Sequence, residues 1–112
     1  MTKMYIAVLD EFPCYMVPTL VAHSVLAAHL TFENSPYEDG HRYNDWLKNS
    51  FKKVTVRVNQ KEFAKIAALP NVHIGHEKNT LEGKDSCIVV CPMQDNELPN
   101  VLKFAKLWSP KQ

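Results

Sequence analysis

The sequence predicts a single α/β domain over residues 1–112: a four-stranded mixed β-sheet flanked by helices, in the order β-α-α-β-α-β-β-α. Three observations lead there. Tyr5-Ile-Ala-Val-Leu9 is an unbroken apolar run of strand formers, the pattern of a strand covered on both faces. Val54, Val56 and Val58 alternate with Lys53, Thr55 and Arg57, the pattern of a strand with one buried face. Stretches of helical period lie between and after them, and 112 residues suffice for one core but not two.

The elements follow in chain order. Pro13 and Pro18 bracket a turn, and Pro18 suits a first helical turn, where its missing N–H has no partner to lose. A helix is expected from there to about Leu30. Leu20, Val21, Val25 and Ala28 form one side of it, widened by Met16, Ala27 and Leu30 and interrupted by Thr19, His23 and His29. A helix so apolar should be buried between the sheet and another element. Residues 33–40 read as a polar loop, and about Arg42 to Asn49 as a second helix carrying Trp46 and Leu47. After the valine strand, Asn59 caps a helix with Glu62 in the capping-box position, and Pro70 ends it. Val72 to Ile74 reads as a short strand, His76 to Lys84 as a polar loop, and Ser86 to Cys91 as a strand closed by Pro92. Asp95 or Asn96 then opens a last helix with Pro99 in its first turn and Val101, Leu102, Ala105 and Leu107 as its apolar face.

Composition excludes several classes. A hydrophobic content of 46% and a charged content of 22% exclude bulk disorder. Thirteen Lys and Arg against twelve Asp and Glu give a net charge of +1, which excludes a strongly cationic nucleic-acid binder but leaves room for a basic patch. No unbroken apolar run reaches bilayer length and no signal segment opens the chain, so a cytoplasmic protein without a membrane partner is expected. Three cysteines argue against a disulfide framework, and Cys87 and Cys91 read as core residues on one strand face. His73 and His76 lie three apart, but with no Cys-x-x-Cys and no His-Glu-x-x-His no metal is expected. With glycine only at 40, 75 and 83, there is no phosphate-cradling loop, and no cofactor is expected.

The motif order resembles the type 2 peptidyl-tRNA hydrolase family from Tyr5 to Leu107. The opening strand ends Val8-Leu9-Asp10 where the family has Arg-x-Asp. Val21-Ala-His23-Ser-Val25 stands where the family helix has Ala-Ala-His-Ala-Ser. Trp46, a short gap, Lys52-Lys53 and the valine strand are similar to the family segment in spacing, as are Gly83, Pro92 and Lys106-Leu107 further on. The resemblance implies a peptidyl-tRNA hydrolase II-like fold. Its departures fall on the chemistry. Met16 replaces the family Lys seven residues before the His, and Leu20 replaces a Gln. In the loop before the last strand His76 stands at the family Asp, Thr80 at a Thr and Lys84 at the next Thr.

Hydrolysis of a peptide–tRNA ester needs a group that orients or deprotonates water, donors facing the oxyanion, and cations on the tRNA phosphates. The residues left for catalysis are His23, Asp10, His76 and Thr80; for substrate binding they are Thr19, Glu77, Lys52, Lys53, Lys84 and Ser86. Each also has a plain structural reading. His23 reads as a buried, hydrogen-bonded core histidine, Asp10 as a cap on loop N–H groups, and His76 and Glu77 as solvated loop residues. Thr80 and Ser86 read as local hydrogen-bonding residues, and Lys52-Lys53 as a solvated strand edge. Two functions therefore compete. One is a hydrolase of peptidyl-tRNA or a related acyl ester with a rearranged site and tRNA as partner. The other is a catalytically inactive member of the fold that binds RNA or protein, with Met16 and Leu20 making the mouth of the first helix apolar. A homodimer covering the apolar excess is compatible with both.

Overall fold

The structure, a computed structural model, describes residues 1–77 and 84–110. Its sheet has five strands: β1 (Thr2–Leu9), β2 (Lys52–Val58), β3 (Val72–Glu77), β4 (Lys84–Gln94) and β5 (Lys106–Leu107), in the spatial order β3-β4-β1-β2-β5. The helices are α1 (Val17–Glu33), α2 (Glu38–Lys48), α3 (Gln60–Ala67) and α4 (Asn100–Lys103). β1 pairs parallel with β2 and antiparallel with β4, so the apolar opening run sits in the middle of the sheet. Its alternation explains the unbroken hydrophobicity. Met4, Ile6 and Val8 enter a core beneath α1 and α2, while Tyr5, Ala7 and Leu9 enter a second core with α3 and α4.

Local chemistry sets the helix limits. Pro18 lies in the first turn of α1, as the sequence predicts. Asn59 and Glu62 form the expected capping box at α3: the Asn59 carboxamide oxygen accepts from the Glu62 N–H at 2.8 Å, and Glu62 returns the bond to the Asn59 N–H at 2.9 Å. α1 buries a stripe of Val17, Leu20, Ser24, Ala28 and Phe32, spaced three or four residues apart. The stretch Cys14–Glu33 is long and apolar enough to cross a membrane by length and composition, a criterion that a core helix also meets.

The structure departs from the sequence expectations in four places. The loop expected at 33–40 is shorter, residues 34–37, because α1 continues to Glu33 and α2 starts at Glu38. Gly40 lies inside α2, where a Cβ would stand 2.0 Å from the Ser35 carbonyl oxygen. β4 runs past Pro92 rather than stopping at it. The β1–β4 register shifts between Lys3 and Tyr5, and this irregularity accommodates a residue without an N–H. The long C-terminal helix is absent. Pro99 holds Leu98 extended, α4 is four residues long, and Lys106-Leu107 pairs with Val56 and Arg57 as a fifth strand. The fifth strand replaces the four-stranded expectation.

Candidate functional site

Asp10 follows β1 and turns toward β2. Its N–H donates to the Val58 carbonyl at 2.8 Å, and its carboxylate lies 3.5 Å from Arg57 Nε. An open cleft of about 400 Å³ at this end is lined by Asp10, Arg57, Asn59, Glu62, Phe104 and Lys106.

His23 and Thr19 are exposed, not buried, on the α1 flank away from α2. The expected core histidine is thereby corrected. Ser24 occupies the buried stripe, and His23 stands one residue, about 100° of helix rotation, away from it. Leu20 is 1% exposed, so it is core and not the lining of an apolar mouth. Met16 packs partly against the same core.

Ser86 is fully buried and within 3.3 Å of the Ser24 hydroxyl, which removes it from any substrate contact. The cause is a bulge. Between the pairs Ile74↔Ile88 and His76↔Asp85, Ser86 and Cys87 together oppose Gly75. Gly75 faces α1 so closely that a Cβ would stand 2.3 Å from Ser24 Oγ and 2.7 Å from Ser86 Oγ. Strand alternation then sends His76 to the opposite face, where Nδ1 lies 3.3 Å from Asp85 Oδ1. His76 and Glu77 belong to β3, not to a loop. Glu77 pairs with Lys84 in the ladder, and Thr80 lies outside the described residues.

Lys52 and Lys53 open β2, in register with Lys3 and Met4, whereas Leu9 beside Asp10 is in register with Val58. Six strand residues, about 20 Å, separate the lysines from the Asp10 end. By register Asp10 and His76 lie at one end of the sheet and the lysines at the other, with His76 on the face opposite α1 and His23 and Thr19 exposed on that helix.

Lys53 belongs to a feature that sequence reasoning missed. A groove of about 480 Å³ runs between α1 and α2, lined by Val25, Leu26, His29, Trp46, Phe51 and Lys53 among others. Trp46 is buried, and its indole N–H donates to the Lys52 carbonyl at 2.8 Å. Phe51 stacks 5.3 Å from Trp46, and Lys53 Nζ sits 3.1 Å from the Phe51 ring centroid and 5.2 Å from the Trp46 ring. Burial lowers the Lys53 pKa. Phe51 has φ 55, the left-handed region, which costs a bulky residue about 1–2 kcal/mol. At the other wall His29 lies 2.7 Å from the Tyr43 hydroxyl through Nδ1 and 3.0 Å from Glu33 through Nε2. A neutral imidazole satisfies both, donating from Nε2 to Glu33 and accepting the Tyr43 proton at Nδ1. The signal for the groove was present in α1: Ala22, Leu26 and Leu30 recur every four residues and are all exposed, at 68% for Leu26 and 65% for Leu30.

Among the described residues, no three His, Cys, Asp or Glu side chains gather to hold a metal. Neither a protein-family model nor a curated protein matches the chain.

Proposed function

We propose that this chain is a catalytically inactive binding module that recognises a protein partner on the α1–α2 face, built on a peptidyl-tRNA hydrolase II-like architecture. The placement of His76 on the sheet face opposite α1, the helix that carries His23, carries this reading. A base and an oxyanion donor must meet around one carbonyl, within hydrogen-bond reach of the reacting atoms. The exposed aliphatic side chains of Leu26 and Leu30 favour a protein partner over RNA, whose binding calls for clustered cations over a broad basic surface. The architecture is supported by the central β1 parallel to β2, by α1 packing over β3 and β4, and by the Trp46 to Val58 segment.

A second reading keeps the hydrolase. It is favoured by Thr19 and His23, both exposed and one helical turn apart. One assay separates the two: release of the acyl group from N-acetylated aminoacyl-tRNA with the protein in molar excess. The binding module leaves the rate at its value in buffer. A clear acceleration that His23→Ala reduces by about a hundredfold or more would establish the hydrolase instead.

A further inference from the structure

We infer that the groove between α1 and α2 receives the free C-terminal end of a partner polypeptide, its aliphatic side chains against Leu26, Val25 and Phe51 and its carboxylate on the Lys53 ammonium. This deepens the reading above by naming what the module recognises.

Charge placement is the first argument. The lining is apolar except at its ends, and among the described lining residues none is a carboxylate. His29 at one wall has both ring nitrogens engaged, by Tyr43 and Glu33. Lys53 at the mouth donates to the Phe51 carbonyl at 3.0 Å, which uses one of three ammonium protons. A single cation beside an apolar channel matches a ligand with one terminal negative charge.

Backbone strain is the second argument. A helix exit of this kind favours glycine or asparagine in the left-handed position, yet phenylalanine occupies it. The Phe51 N–H donates back to the Trp46 carbonyl at 2.8 Å and fixes the turn. The strain holds a ring that is 53% exposed, stacked on Trp46 and capped by Lys53. Strain held in place to present an apolar surface to water is characteristic of ligand sites.

Size and openness are the third. The volume of about 480 Å³ lies in the range that holds small ligands and the last residues of a peptide. The Leu26 rim is 68% exposed, so an occupant keeps one side in solvent, as a chain end does and an enclosed lipid does not.

The test titrates the full chain with the peptide acetyl-Gly-Ser-Gly-Leu-Leu, as the free acid and as the C-terminal amide, by calorimetry. The acid should bind about tenfold or more tighter than the amide, the scale of one charge-assisted hydrogen bond. Lys53→Met should abolish that preference, and Leu26→Asp should weaken both peptides; both side chains are exposed, and melting curves report that the variants fold. Equal affinity for acid and amide, absence of saturable peptide binding, or a preference that survives in Lys53→Met would overturn the inference. So would saturation by decanoate without peptide binding, or a dimer in sedimentation that Leu26→Asp dissociates, since a lipid or a second copy would then be the occupant. Failure of the inactive-module reading is seen separately, as release of the acyl group from N-acetylated aminoacyl-tRNA above its rate in buffer.

Discussion

Gly75→Ala tests how α1 is seated on the sheet edge. The added Cβ would meet Ser24 Oγ at 2.3 Å and Ser86 Oγ at 2.7 Å, with the Cys87 carbonyl oxygen at 3.2 Å. Both hydroxyls are buried and Cys87 belongs to the sheet, so the strain cannot be shed into solvent. Overpacking of this kind costs about 1–3 kcal/mol. Alanine also restricts the unfolded chain, which returns about 0.4–1 kcal/mol. The net loss is about 1–2 kcal/mol, a fall in melting temperature of about 4–10 °C for a domain of this length. The closest of these contacts is with Ser24 Oγ, and a thermodynamic cycle isolates its share. Ser24→Ala removes the hydroxyl at 2.3 Å, and in that background Gly75→Ala should cost about 1 kcal/mol less. Urea unfolding followed by circular dichroism measures all four proteins. An unchanged or raised stability in Gly75→Ala, or an identical cost in both backgrounds, would refute the packing of α1 against the β3–β4 bulge.

Four further outcomes are expected. Arg42 bonds Glu97 at 2.8 Å and 3.0 Å and holds its carboxyl below the ordinary glutamate value of 4.5, so that this bond contributes stability above pH 4.5 and loses it as the pH falls; Glu97→Gln should flatten the acid limb of a melting-temperature profile. Burial likewise lowers the His73 pKa from 6.5, so the neutral ring is favoured in the fold and stability declines below pH 6.5, a slope that His73→Asn should reduce. Burial pushes the Cys91 thiol up to about 12, and Cys87 is fully buried; mass spectrometry after iodoacetamide treatment should find Cys14 modified in the native protein and the other two only in urea. Asn59→Ala removes one half of the α3 capping box and should cost about 1 kcal/mol in the same unfolding assay, with no loss indicating a cap that contributes nothing.

Much of the fold was written in local patterns. The opening run gave away a central strand because burial on both faces leaves no polar position from Met4 to Leu9. The Asn59–Glu62 cap and the alternating valines are short-range signals and appear as expected. The last segment misled because Leu102, Ala105 and Leu107 keep a helical period that Pro99 and the pairing of Lys106-Leu107 with β2 override. α1 misled in another way. It is apolar on its exposed side as well as its buried one, so hydrophobicity did not tell which side Ser24 and which side His23 occupies. The placement of His76 and Ser86 turns on one extra residue in β4, and a bulge of that kind leaves no periodic mark in a single sequence. The groove was hidden because it joins Leu26 to Phe51 and Lys53 across an interhelical contact that only the tertiary arrangement creates.

The account holds that the working surface is the α1–α2 groove and not the residues that resemble an acid–base set. An amide chemical-shift map of the isotope-labelled chain, titrated with the leucine-terminated free-acid peptide, tests this most directly. Shifts should concentrate on Val25, Leu26, Phe51 and Lys53, with Asp10, His23 and His76 unmoved. Shifts centred on His23 and Asp10, with the groove silent, would contradict it.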